Sequence, residues 1–232
     1  MIQKTDYQKQ LDDILKKIVH NLSCNTSSEK ESSLTVGDNS KKQTLLLHAC
    51  CAPCSSYVIE YLAQYFDITI YYYNPNIHPQ KEYERRLAEL TNFLPRFPEA
   101  ITNKVKLITT PYDQEDFFTA TNARNEPNLQ TEHERGERCR RCYLFRMKKS
   151  YEYACIHNFD WFTTTLSISP YKDAEKINTI GKMLEETAHT KFLTSDFKKK
   201  NGFLRSLQLS AEYGLYRQDY CGCIYSIFTK DN

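Results

Sequence analysis

No stretch of this 232-residue chain approaches the ~18 consecutive apolar residues that a membrane-spanning helix needs. The nearest, Tyr57 to Tyr73, is broken by Glu60, Gln64 and Asp67. The opening MIQKTDYQKQLDDILKKIVH lacks the uninterrupted apolar core of an export signal. The sequence therefore predicts a cytoplasmic protein with no membrane partner. A strong global charge is missing too, since 31 Lys and Arg against 29 Asp and Glu leave +2. A nucleic-acid partner would have to be held by a local basic patch, because no whole-molecule field is available. The composition, 40% hydrophobic and 26% charged, is that of a globular chain able to bury a sizeable core.

Cysteine, by contrast, is plentiful and grouped. Seven of the nine fall into three sets: Cys50, Cys51 and Cys54; Cys139 and Cys142; Cys221 and Cys223. Only Cys24, in a polar segment, and Cys155, in a helical apolar stripe, stand alone, and both read as structural. An odd count with CxxC spacing and no export signal favours metal or redox use over a disulfide scaffold.

Hydrophobic periodicity places these groups. Leu11, Ile14, Leu15, Ile18 and Leu22 predict an amphipathic helix over 5–22, followed by the polar linker SCNTSSEKESSLTVGDNSKKQ. Residues 1–43 thus read as a helical appendage and linker, and 44–232 as one α/β domain. Strands are expected at 44–50, 68–77, 105–112, 161–169 and 192–197. Helices are expected from Pro53 to Phe66 and over 79–93, 139–157, 172–188 and 203–213, with a polar stretch at 121–137. Such alternation predicts a mostly parallel, Rossmann-like sheet with helices on both faces. HACCAPC (48–54) then lies at the carboxyl end of the first strand, where open α/β sheets bind ligands and a helix N-terminus favours thiolate.

Adjacent Cys50 and Cys51 suit a shared metal centre better than a strained vicinal disulfide. Cys139 and Cys142, three apart on a helix, share one face. Together the two pairs supply four thiolates, enough for tetrahedral zinc or an iron–sulfur cluster. The position in a ligand crevice favours the cluster over a structural zinc knuckle. Cys221-Gly222-Cys223 reads either as a strained, readily reduced redox pair or as two further buried thiols or ligands. His48 reads as a satisfied strand residue and His78 as a substrate-contact candidate. Two basic runs flank the crevice as candidate phosphate contacts. They are Arg135, Arg138, Arg140, Arg141, Arg146, Lys148 and Lys149, then Lys191, Lys198, Lys199, Lys200 and Arg205.

HACCAPC, YYYNPNIHP (71–79), ERCRRCY (137–143), TTTLSISPYKD (163–173) and YCGC (220–223), in this order, closely resemble the epoxyqueuosine reductase family of the QueH type. The match covers roughly 44–225. The resemblance implies cobalamin-independent reduction of epoxyqueuosine to queuosine at the wobble position of tRNA, the last step of that modification. It implies as partners a tRNA with a GUN anticodon carrying epoxyqueuosine and an electron-donor protein or reductant. It also implies a 4Fe–4S cluster held by Cys50, Cys51, Cys139 and Cys142, an adjacent mononuclear iron, and a redox-active pair, Cys221 and Cys223. Cys54 matches the motif without an assigned role. The sheet resembles the nucleotide α-hydrolase type, but no SGGxDS loop is present, so ATP use is not implied. Removing an epoxide oxygen takes two electrons, two protons and a Lewis acid, for which an open iron position beside the cluster is expected. Asp173 and Tyr171 are the positional candidates for proton donation. The rival readings are an iron–sulfur tRNA sulfur transferase and a zinc-stabilised RNA-binding protein without catalysis.

Overall fold

Leu45, Leu46 and Leu47 are wholly buried, as expected of a strand covered on both faces. Their strand, β1 (Gln43–His48), is the centre of a five-stranded sheet in a computed structural model that describes residues 5–28 and 42–228. The other strands are β2 (Phe66–Tyr72), β3 (Lys106–Thr109), β4 (Trp161–Thr164) and β5 (Lys191–Phe192). All pairings are parallel and the order is β3-β2-β1-β4-β5. Leu45 stands opposite Ile68 on one side and Trp161 on the other. Winding runs outward one way from β1 to β3 and the other way through β4 and β5. The boundary between β1 and β4 is therefore the topological switch point.

Alternation along β1 divides the core. Leu45 and Leu47 pack with α1 (Tyr7–Ser28), α2 (Ala52–Leu62), α3 (Gln80–Phe93), α4 (Pro98–Thr102) and α9 (Gly202–Glu212) through Leu11, Val58, Tyr83, Ala100 and Leu209. Leu46 faces α7 (Glu137–Ile156) and α8 (Ala174–Glu185) through Met147, Tyr151, Ile177 and Leu184. Three short helices, α5 (Gln114–Thr121), α6 (Pro127–Gln130) and α10 (Ile224–Phe228), complete the described residues. No helix among them is long and apolar enough to cross a membrane.

The α/β architecture with helices on both faces is as the periodicity predicts, but several boundaries differ. The strand expected over 161–169 stops at Thr164, whose hydroxyl accepts the Leu166 N–H and turns the chain into a 3-10 segment, Thr165–Ile168. The strand expected over 192–197 keeps only Phe192 in register with β4, and the Leu193 N–H makes its last cross-strand bond, to the Phe162 carbonyl at 2.9 Å. Beyond it the Ser195 N–H donates to Asn178 Oδ1, 2.9 Å, instead of extending the ladder. The stretch read as polar at 121–137 contains α6, and α5 precedes it, started by Asp113 accepting the Glu115 N–H at 2.9 Å. α1 continues to Ser28, past the predicted end, and the Cys24 side chain and most of the predicted linker lie outside the described residues. The helix is docked: Leu11, Leu15 and Ile18 are buried, and Asp12 pairs with Lys200 at 2.6 Å.

Candidate metal and redox site

The end of β1 is tied by its neighbours. The Ala49 N–H donates to the Tyr71 carbonyl (3.2 Å), and Asn74 Nδ2 donates to the Ala49 carbonyl (2.8 Å). The chain then turns, with Cys51 extended at the N-cap of α2 and Pro53 in its first turn. This brings the sulfurs of Cys50, Cys51 and Cys54 within 4.8 Å of one another, a group able to bind a metal ion. The Cys50 and Cys51 sulfurs are 3.7 Å apart. Hydrogen bonds from Cys51 and Cys54 lower the Cys50 pKa, while sharing that proton network pushes Cys51 up to about 12. The three thiols thus share their protons unequally, with Cys50 the readiest to ionise, and a bound metal would displace those protons.

Glu132 sets the start of α7 by accepting the Glu137 and Arg138 backbone N–H groups, each at 2.7 Å. Cys139 and Cys142 follow one turn apart and face a narrow cavity of about 20 Å³. Burial, with the charge of Cys221 and Cys142 adding to it, pushes Cys139 up to about 11; burial likewise raises Cys142. The same cavity is lined by Cys221 and Cys223, so the second and third cysteine groups meet there. Both Cys221 and Cys223 are free thiols.

The C-terminal pair is held by an anchor that the sequence motifs did not reveal. Arg86, buried on α3, pairs with Glu82 at 2.7 Å and donates to the carbonyls of Tyr220 and Cys221, 3.3 Å each. Gly222 has φ +102°, and its carbonyl accepts the His78 N–H at 2.7 Å. A Cβ there would lie 2.9 Å from Ile77 Cγ1, so glycine is required both for the dihedral and for the close approach. Cys221 Sγ lies 3.3 Å from Ser226 Oγ and 3.4 Å from the Cys223 nitrogen. The Cys223 thiol hydrogen bond lowers the Cys221 pKa, aided by the Lys172 ammonium, and Cys223 is raised in return.

Charged groups surround the sulfurs. Arg146 is buried, donates to Asn74 Oδ1 at 2.5 Å, and leaves its Nε without a partner. Arg138 is equally buried, donates to the Leu129 and Gln130 carbonyls, and leaves Nε and Nη2 unpartnered. Burial opposes the charge on Lys172, but electrostatic attraction to the sulfurs of Cys50, Cys221 and Cys54 outweighs it and raises its pKa. Gln218 Nε2 donates to Cys51 Sγ at 3.2 Å. Glu134 lines the cavity, its carboxyl pushed up by burial and by Cys221. Buried guanidinium N–H groups without acceptors are costly, and an anionic, thiolate-bound centre is the kind of group that would satisfy them. The donor set therefore fits a metal centre.

Other sequence candidates separate. His48 is wholly buried, with Nδ1 2.8 Å from Thr164 Oγ1 and Nε2 3.2 Å from the Tyr73 carbonyl; it is a satisfied strand residue. His78 is buried against Phe117 and Phe118, with Nε2 unpartnered. Asp173 is committed to capping α8 through the Glu175 and Lys176 N–H groups, whereas Tyr171 lines the thiol cavity. Of the first basic run, Arg138 and Arg146 turn inward. Arg140 and Arg141 pair with Glu137, Arg141 also with Glu126, and Lys148 and Lys149 lie near Glu152. Cys155 packs against the α7–α8 core. Arg86, Glu134, Lys172 and Gln218 were absent from the sequence candidates. Only Lys172 lay inside a motif, SPYKD, that could have singled it out.

A family model for epoxyqueuosine reductase QueH matches residues 45–229. The chain is 41% identical to the epoxyqueuosine reductase QueH of Streptococcus pyogenes over 187 residues, 81% of this chain and 71% of that protein. It is 39% identical to the one from Haemophilus influenzae over 185 residues, 79% and 71% of the two chains. It is 32% identical to the one from Thermotoga maritima over 194 residues, 81% and 92%.

Proposed function

The chain belongs to the epoxyqueuosine reductase QueH family, and from that premise we propose that it reduces the epoxide of epoxyqueuosine at the wobble position of a cytoplasmic GUN-anticodon tRNA. The observation that carries the reading is the meeting of Cys139 and Cys142 with Cys221 and Cys223 in one cavity. Lys172 lines that cavity, and its charge is favoured by the sulfurs of Cys50 and Cys54 as well as Cys221. In a family of reductases, a pair of thiols sharing a cavity with two further cysteines proposed as cluster ligands is an arrangement suited to a two-electron reduction.

Cys50, Cys51, Cys139 and Cys142 are the residues to hold a 4Fe–4S cluster, with Cys54 a further thiol beside it for an adjacent iron. Such a centre supplies one-electron transfer and Lewis acidity. The chain's own residues do the rest. Oxidation of Cys221 and Cys223 to a disulfide releases two electrons and two protons. Epoxide plus two electrons and two protons gives the alkene and water, so one dithiol balances one turnover. An external reductant must then restore the pair. Lys172, whose charge the sulfurs of Cys50 and Cys221 favour, is a candidate proton carrier, and Glu134, whose carboxyl pKa burial and Cys221 raise, lines the same cavity. Arg138 and Arg146 present unpartnered N–H groups to anionic sulfur, and the buried Phe117 keeps one wall of the cavity dry.

The test is anaerobic purification, iron, sulfide and zinc analysis, then reaction with epoxyqueuosine-containing tRNA and a reductant. About four irons and four sulfides per chain, with conversion to queuosine, is the expected result. One zinc without sulfide, and intact epoxyqueuosine, would leave the zinc-stabilised RNA-binding reading.

A further inference from the structure

A groove of about 800 Å³ lies beside the thiol cavity, and the two share Lys172 as a lining residue. The partition between them consists of two short loops. Arg135 donates to the carbonyls of Pro170 and Tyr171, holding the loop before α7 to the loop before α8. The groove's far wall is Thr5, Asp6 and the first turns of α1 as far as Asp12, all preceding the 45–229 region that matches the family. Its floor includes Lys198, Lys199 and Lys200.

Charge in the groove is not evenly matched once pairing is counted. Asp12 is taken by Lys200, Asp196 by Lys198, and Asp173 by the α8 backbone and Lys176, while Glu175 also lines the groove without an ion pair among the described residues. Asp6 caps its own helix by accepting the Lys9 N–H at 3.0 Å. Lys9 and Lys199 are exposed on opposite sides and form no ion pair among the described residues. The thiol cavity, at about 20 Å³, is far too small to admit a nucleotide with its backbone, whereas the groove is large enough.

We propose that this groove seats the RNA backbone flanking the modified nucleotide, with Lys9 of α1 and Lys199 of the 198–200 loop as phosphate contacts and Lys172 marking the passage to the thiols. The proposal rests on the tRNA substrate of the preceding reading and adds a role for the N-terminal helix. Phosphate contacts position the strand without reading sequence, so exposed lysines on two facing elements suffice. The salt bridge Lys200–Asp12 and the bond from Lys182 Nζ to Gln10 Oε1 (3.3 Å) keep α1 in place as the wall.

The experiment measures binding of fluorescent, epoxyqueuosine-containing tRNA to the anaerobically prepared protein at several salt concentrations. Each lost phosphate contact lowers the slope of log affinity against log salt by roughly 0.7–0.9. The Lys9→Ala/Lys199→Ala variant should therefore lose about 1.4–1.8 in slope and about ten- to thirtyfold in affinity at 0.15 M salt. Lys104→Ala/Lys106→Ala, in a small hollow beside Thr44 and Asp67 at the amino ends of the strands, should change neither. Unaltered slope and affinity in the Lys9/Lys199 variant, with wild-type protein still reducing the tRNA, would overturn the groove while leaving the function standing. An equal loss in the Lys104/Lys106 variant would overturn it as well, since attraction would then be diffuse. A wild-type protein that neither binds nor reduces the tRNA would remove both readings together.

Discussion

Replacing Gly222 by alanine should damage stability and redox chemistry together. The backbone there has φ +102°, where an L side chain is strained by about 1–3 kcal/mol. The new Cβ would stand 2.9 Å from Ile77 Cγ1, 3.2 Å from Arg86 Nη1 and 3.3 Å from Ile77 Cα. Of these only the Arg86 tip can move freely, and moving it weakens its hold on the Tyr220 and Cys221 carbonyls. Overpacking of this kind costs about 1–3 kcal/mol, so the total is on the order of 3 kcal/mol. For a domain of this size that lowers Tm by about 6–12 °C. Thermal unfolding followed by circular dichroism measures the loss, and alkylation rates of Cys221 and Cys223 show whether the turn has shifted. A Gly222→Ala protein with wild-type Tm and wild-type thiol reactivity would refute the argument that this turn is sterically closed to a side chain.

Cys221→Ser should retain the visible spectrum of the loaded protein yet fail to sustain repeated turnover with excess reductant; undiminished multiple turnover would exclude the dithiol relay. Arg86→Met leaves Glu82 buried without its partner and should cost about 3–5 kcal/mol in urea unfolding, whereas Glu82→Gln/Arg86→Met should cost less than the sum of the single changes. For Asp12, burial alone would raise the carboxyl pKa, but the hydrogen bonds from Lys200, Gln8 and Tyr61 outweigh it and the net shift is downward. Its contribution is thus complete above the ordinary aspartate pKa of about 3.9 and is lost as pH falls through the lower folded value. Hydrogen exchange in α1 should accelerate over that acidic window in the wild type, and Asp12→Asn should flatten the dependence.

What could be read in advance follows the range of the interactions. The leucines of β1 announce a strand covered on both faces because burial is written into consecutive residues. The cysteine groups are visible for the same reason, each lying within five residues. Arg86 and Gln218 were not visible, since their links to Cys221 and Cys51 span 135 and 167 positions and arise only from packing. FLTSDF has strand composition, yet Asn178 captures the Ser195 N–H and the ladder ends. The short helices α5, α6 and α10 have too few turns to display a period.

The wide separation of the thiols along the chain also has a consequence during synthesis. Cys54 and Cys223 are 169 residues apart, an interval of roughly 8–34 s at about 5–20 residues per second. Throughout that time the first sulfur group has left the ribosome without Cys139 and Cys142, and then without the final pair. A nascent chain can offer stray metal ions or oxidants only the half-built centre. On the proposed ligand assignment, cluster assembly has to wait until Cys142 has followed Cys54 by 88 residues.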